Sequence, residues 1–501
     1  MQSSLWRKAI LATLTAAVLL TAGHTHSQGK RPRMIVVGFD GVDAAFTEKW
    51  MNEGKLPNLA KLREQGTFRP LLPTLPAQTP VSWSTFTTGI DPGRTGIFDF
   101  LRRDPKTYLP VFAAFDETVE PFGLGRKNKI AGAAIAFVLG LVLVRLALVA
   151  VRNKRIAWGA SALLAFAFGG AGWWAVQKYI PETRPGVVNR RQGIPMWEVV
   201  SKAGLKARVV HVPVTFPATE LDEGHLLSGL GVPDVSGRVG KPFYFTSELD
   251  FNRGGGSNEF SIEVVQLEDN RGVINTEIVG PPNKLFGDPP FIGCPITVTV
   301  SEARDSVKID VSGQQFTLKP GEWSGWAHLE FPFNPLVKVR GVSRFFLMEV
   351  SPEVKIYLSP INLDPGSLPP GLHITAPVEW AKELNTKYGP YKTMGWQIDT
   401  WAISEGFANE KMFWDDMEWT VAQFRRMYDD FLESDDDLFI QQFEFPDRVG
   451  HVMWRLMDEK HPAYDAEKAK EWGDAVLRSY QLMDAIVGDA MKVANQEDAA
   501  L

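Results

Sequence analysis

The apolar run "MIVVGF" (34–39) stops at "DGVD" (40–43), the pattern of a strand buried on both faces that ends in a loop. In a parallel sheet such an end is where ligands bind. "LPNLAKLREQG" (56–66) follows with helical spacing and Gly66 as its stop. "TPVSWSTFTTG" (79–89) predicts a further helix, with Thr79 as N-cap, Pro80 as first helical residue and Gly89 as C-terminal stop. Further on, "GIPMWEVVSKAGLKARVVHVPVTFP" (193–217) repeats helix then strand, the strand being "ARVVHVPV". "DDLFIQQFEF" (436–445) is another buried strand feeding "PDRVGHVMWRL". This alternation predicts an α/β fold, a central sheet flanked by helices. Between about 255 and 362 the texture changes to period-two stretches such as "FSIEVVQLE", "ITVTVSE", "SVKIDVSG" and "FFLMEV", which predict an antiparallel β insertion.

Two stretches break the amphipathic pattern altogether. Ile130 to Val151 and Ile156 to Val176 are apolar and, at about 1.5 Å per residue, long enough to cross a hydrocarbon core of about 30 Å. Arg145 falls inside the first and would cost about 3 kcal/mol at mid-bilayer, a cost its apolar neighbours outweigh. Trp158, Trp173 and Trp174 sit near the ends as interfacial anchors would, and the alternative is a helical hairpin buried in a soluble domain. Arg152, Lys154 and Arg155 in the connecting loop favour a cytoplasmic loop, against a competing cluster of Arg126, Lys127 and Lys129. At the N-terminus, Arg7 and Lys8 precede an apolar run from Ala9 to Ala22, so residues 1–28 read as a signal peptide or an N-terminal anchor. The expected location is therefore a membrane, with the catalytic part exported to the periplasm or the exterior.

Composition narrows the function. With 501 residues, 45% of them hydrophobic, the chain can build more than one core. A net charge of −6 offers no basic surface for nucleic acid. The single cysteine, Cys294, excludes an internal disulfide and a thiolate zinc cluster.

Four residues stand where chain reversals expose them: Asp40 after the first strand, Thr79 at a helix start, and Asp447 with His451 after the late strand. Asp40 before Gly41 is also an ordinary turn signal. Thr79 has capping as its plain explanation, yet a helix N-terminus also stabilises anions through free N–H groups and the dipole. Asp447 and His451, four apart at the start of a helix, point to one side and suit a shared cation, although a surface Asp with a satisfied His shows the same spacing. Asp99, Arg102 and Arg103 are candidates for phosphate contact, with ordinary loop charges as the simpler reading.

Taken together, "VVGFDG" (36–41), "TPVSWSTFTTGIDPGRTGIFDF" (79–100) and "FPDRVGHVMWR" (445–455) resemble signature blocks of the type I phosphodiesterase and nucleotide pyrophosphatase family, within the alkaline phosphatase superfamily. "GLGVPDVSG" (229–237) is similar to a segment of its bacterial members. The resemblance implies an alkaline phosphatase-like core over 33–125, 186–250 and 380–501, interrupted by the transmembrane hairpin (126–180) and the β-rich insertion (251–365). It implies two divalent metal ions, usually zinc: Asp40 and Thr79 on one, Asp447 and His451 on the other, with Thr79 also the nucleophile. The substrate would be a small-molecule, lipid or glycan phosphodiester. Two metals about 4 Å apart clamp the attacking and leaving oxygens of such a displacement.

The sequence departs from that family in lacking an Asp-His-Gly block and a later histidine. His24, His26, His211, His225, His328, His373 and His461 do not stand in such a setting, His211 lying within the predicted strand. The chain closes on a helix and the first letters of what reads as a further strand, so a C-terminally truncated enzyme is expected, against an inactive relative acting as a binding protein. A membrane-bound phospho-alcohol transferase would use the same residues. A sulfatase would need Cys or Ser in a C-x-P-x-R setting, whereas Cys294 stands in "GCPIT" and the nucleophile position is Thr79.

Overall fold

The protein is described by a computed structural model covering residues 33–249 and 262–501. The expected signal peptide or anchor lies outside the described residues. A five-stranded sheet forms the centre: β1 (Met34–Phe39), β2 (Ala207–Val210), β3 (Gly224–Leu227), β4 (Thr375–Ala376) and β5 (Leu438–Phe443), in the order β1-β5-β2-β3-β4. The first four positions run parallel and β4 closes the edge antiparallel to β3. All six residues of β5 are buried, because both faces of the sheet are covered.

Alternation within β5 shows the two layers. Phe439 and Phe443 face a core that holds Trp50, Phe424, Tyr428, Val449, Met453 and Tyr480, whereas Leu438 and Ile440 face Trp197, Val209 and Leu226. The first layer is supplied by α1 (Ala44–Asn52), α6 (Glu410–Leu432), α7 (Phe445–Met457) and α8 (Ala475–Glu497). α2 (Pro57–Gln65) lies beside α8, where the Asp484 carboxylate accepts from the N–H groups of Asn58 and Leu59. On the opposite face, α3 (Thr79–Thr88) packs through Trp83. After α8 the chain returns to the outer edge of β1, where the Ile35 N–H donates to Ala500 and the Ala500 N–H to Arg33, both at 2.8 Å.

The period-two stretches form strands. "SVKIDVSG" becomes Val307–Val311, which alternates buried and half-buried residues within a four-stranded antiparallel sheet. Ile278, Val298, Ile309 and Phe331 lie in the separate core of this β-rich region.

The apolar stretches form two helices, α4 (Asn128–Ala147) and α5 (Lys154–Tyr179), both long and apolar enough to cross a membrane. They pack closely through small residues: a Cβ on Gly172 would lie 2.5 Å from the Ala136 Cβ, and one on Gly132 would lie 2.4 Å from Val176 Cγ2. Their outward faces stay uncovered, with Leu143, Leu163 and Phe166 exposed. That exposure is what membrane spans would show, and by length and composition the two helices stand as candidate spans. α4 ends at Ala147 rather than continuing to Val151, because the chain turns at Leu148. Arg145 therefore occupies its last turn, stacked 4.3 Å over Trp158, not the middle of a span. A short antiparallel ribbon, Phe115–Pro121 against Thr183–Asn189, joins the hairpin to the core. The Asn189 amide holds its base by donating to the carbonyls of Val214 and Phe216, each at 3.0 Å.

His211 does not extend β2 as expected. The strand stops at Val210, and His211 turns into the left-handed region at φ 58° with its ring packed 4.2 Å from Phe424. Burial lowers its pKa to about 3, so the folded protein holds it neutral while the unfolded chain protonates near 6.5. Its stabilising contribution is complete above that unfolded value and falls as pH drops toward the folded one, by about 2 kcal/mol at pH 5. Denaturant unfolding at pH 7 and pH 5 should therefore show a smaller acid loss in His211→Phe than in the parent protein. Equal losses would remove His211 from that account.

Candidate active site

Asp40 comes from the loop after β1, Thr79 from the start of α3, and Asp447 and His451 from the first two turns of α7. β1 ends at Phe39, and the Asp40 N–H still donates to Phe443 O at 3.1 Å, so residue 40 remains in register with the end of β5. Gly41 follows at φ +68°, and a Cβ there would stand 2.6 Å from the Asp447 Cα. Only glycine supplies both the left-handed turn and the space. α7 begins at Phe445, placing Asp447 in its first turn directly against that glycine.

Thr79 reaches the same place from α3. Trp83 lies across Gly38, where a Cβ would meet its ring at 2.4 Å, and this contact fixes α3 against β1. The expected capping role is corrected: Gln78 is the N-cap, Thr79 is the first helical residue and Pro80 the second. Freed from capping, the Thr79 hydroxyl lies beside the Asp40 carboxylate, near enough to lower its pKa. Pro80 has no N–H, and the N–H groups of Val81 and Ser82 both donate to Gln78 O, at 3.0 and 2.9 Å. Of the first turn's donors, only the Thr79 N–H remains available to an anion among the described residues. Gly89 ends the helix at φ 69°, as expected.

The Asp40 pKa is pushed up to about 6, chiefly by burial and next by the adjacent Asp447 carboxylate, with Arg448 and the Thr79 hydroxyl opposing. Asp447 Oδ2 lies 3.5 Å from His451 Nε2 and 3.6 Å from an Arg448 nitrogen. The His451 side chain is 64% exposed, so it borders solvent rather than the buried cluster.

Three further residues shape the site. Arg448 is buried, paired with Glu444 at 3.2 Å and stacked 3.6 Å from the Trp396 ring. Glu444 is itself buried and accepts the Ile398 N–H at 2.8 Å. Burial raises the Glu444 pKa, and Arg448 works against that rise. Arg448 and Glu444 lay in view beside Asp447, but an arginine after an aspartate ordinarily reads as a solvated charge. Only the fold reveals that it is buried. Trp396 gave no signal in sequence.

Arg102 and Arg103 do not reach this cluster: Arg102 pairs with Asp116, and Arg103 lies 4.3 Å over the Tyr108 ring. The Asp99 carboxylate accepts the N–H of Phe100, the next residue, at 2.6 Å.

Residues 34–271 match the model of the type I phosphodiesterase / nucleotide pyrophosphatase family. The matched span carries Asp40 and Thr79 and also includes the apolar hairpin, whereas Asp447 and His451 lie beyond it. No curated protein and no solved structure matches the chain. The family consists of phosphodiesterase and pyrophosphatase-type hydrolases that are typically metal-dependent. Among the described residues, no group of three or more His, Cys, Asp or Glu side chains is arranged to hold a metal ion. Asp40, Asp447 and the Thr79 hydroxyl bring three oxygen-bearing groups together, with His451 beside them.

The close approach at Gly41 is testable against a second glycine. Gly54 also has positive φ, at +72°, but a Cβ there meets nothing within 4 Å. Gly54→Ala should cost about 1 kcal/mol, while Gly41→Ala should cost about 2 to 4 kcal/mol because strain and overlap add. Thermal unfolding followed by circular dichroism measures the difference. Equal effects would mean that the loop yields without disturbing Asp447.

Proposed function

We propose that the protein is a metal-dependent hydrolase of phosphodiester bonds in which Thr79 is the nucleophile, with Asp40, Thr79, Asp447 and His451 as ligands to two divalent ions of the zinc class. The observation that carries this reading is the convergence of the Thr79 hydroxyl, Asp40 and Asp447 at the C-terminal ends of β1 and β5. The donor set fits in kind: carboxylate and hydroxyl oxygens with a nearby imidazole suit zinc, and two crowded carboxylates opposed by one arginine leave negative charge for a cation to neutralise. Bound divalent ions would supply Lewis-acid stabilisation of the phosphoryl oxygens and would lower the pKa of the attacking hydroxyl.

The chain's own residues do the rest. Asp40, beside the Thr79 hydroxyl, would accept its hydrogen bond and so orient it for attack. The Thr79 Oγ1 forms a bond to phosphorus as the ester oxygen leaves, giving a phosphothreonine that water then hydrolyses. The Thr79 N–H, at the positive end of α3, faces the negative charge that develops. Arg448, held by Glu444 and Trp396, lies 3.6 Å from the Asp447 carboxylate and keeps it in place.

We further read α4 and α5 as a membrane anchor that holds this domain on the exported side, with the Arg152, Lys154 and Arg155 loop in the cytoplasm. Transfer to a membrane alcohol instead of water would use the same first step, and product analysis separates the two outcomes.

With zinc supplied, Thr79→Ala should lower the turnover of bis(p-nitrophenyl) phosphate at least ~1000-fold, with Thr79→Ser keeping a measurable fraction. Turnover by Thr79→Ala equal to that of the parent protein would exclude the nucleophile.

A further inference from the structure

The β-rich region meets the helical layer at a buried cluster in which Tyr244, Phe346 and Tyr357 share a core with Ala402 and Met412. Between that cluster and the candidate site runs the segment 389–400, which forms neither helix nor strand. It is nonetheless buried at every position from 391 to 400 except Trp396 and Asp399, which are half-buried. A buried segment without regular structure has to satisfy its polar groups through particular partners.

Those partners lie on two sides. Toward the β-rich region, the Thr393 hydroxyl donates to Leu363 O at 2.9 Å and the Met394 N–H to Asn362 Oδ1 at 3.0 Å. The Tyr357 hydroxyl donates to Asp399 Oδ2 at 2.7 Å. Toward α7, the Ile398 N–H donates to Glu444 Oε1 at 2.8 Å, and the Trp396 ring lies against Arg448. Asp399 stands where the two sides meet. Its other oxygen accepts the Trp401 N–H at 2.8 Å, so the carboxylate is held from both ends and a shift of Ile398 strains these bonds.

The result is a continuous series of contacts from the β-rich region to the candidate site: Tyr357 to Asp399, the adjoining Ile398 to Glu444, Glu444 to Arg448 at 3.2 Å, and Arg448 to Asp447 at 3.6 Å. Tyr357, Glu444 and Arg448 are all buried, where water does not compete for the bonds and each is stronger than at the surface. A phenyl ring would fill the same apolar cluster. What the Tyr357 hydroxyl adds is the bond to Asp399.

We propose that Tyr357 is a positioning residue for Asp447, so that the β-rich region sets the geometry of the candidate site through Asp399, Glu444 and Arg448. This rests on the phosphodiesterase reading above for its effect on turnover, while the structural link stands apart from it.

Tyr357→Phe removes the hydroxyl and keeps the ring. In the full chain held in amphipol, hydrogen exchange followed by mass spectrometry should quicken about fivefold in peptides covering 396–402 and 444–452. Exchange in the β-rich core at 292–300 and the melting temperature should stay as in the parent protein. With zinc supplied, kcat for bis(p-nitrophenyl) phosphate should fall about fivefold while KM is unchanged. Asp399→Ala should reproduce both effects, and Asp399→Asn, which still accepts a hydrogen bond, should recover part of each. Faster exchange confined to 396–402 would overturn the proposal, because the tether would then stop short of α7. Faster exchange throughout the chain, or an active parent whose kcat survives Tyr357→Phe intact, would overturn it too. If the parent protein turns over no diester, the catalytic reading fails alone, and exchange at 444–452 still decides the link.

Discussion

No side chain fits between residue 41 and the backbone of Asp447, and the candidate site depends on that absence. β1 and β5 are hydrogen-bonded neighbours, so the loops at their ends start side by side. What brings Asp40 and Asp447 together beyond that is the bare Cα of Gly41, against which the first turn of α7 is laid. Gly38 does the same for α3 by accepting the Trp83 ring, and Thr79 arrives as a result. Two glycines in one hexapeptide thus let two helices approach the same strand end.

The charges assembled there are unbalanced by design of the fold. Asp40, Asp447 and Glu444 share one buried arginine, and Glu444 already holds that arginine closest. Breaking a buried pair of this kind typically costs several kcal/mol, so Arg448 is held in place and cannot swing to serve Asp40 as well. Burial is the main cause of the raised Asp40 pKa, and the Asp447 charge adds to it.

Much of the fold was legible because burial on both faces of a parallel sheet leaves unbroken apolar runs, as in "MIVVGF" and "DDLFIQQFEF", and because period-two alternation marks the β-rich region. The site was legible as residue types at strand ends. Its geometry was not. A threonine before a proline reads as a cap, but whether it caps depends on the backbone of Gln78, which sequence does not display. Likewise the end of β2 turns on the left-handed conformation of His211, which nothing in "ARVVHVPV" announces. Arg448 shows the same limit from the other side: its identity was plain, and its burial against Trp396 is a tertiary fact.

The pairing of β1 with β5 also sets an order of events during synthesis. Met34 lies opposite Leu438, some 400 residues later in the chain. At roughly 5 to 20 residues per second, β1 waits about 20 to 80 s for the strand that will cover its inner edge. The ribbon and hairpin, the β-rich region and most of the helical layer all emerge in that interval. Until then the edge of β1 is an open template for any other extended segment, which makes the first strand of the sheet the one most in need of protection while the chain is unfinished.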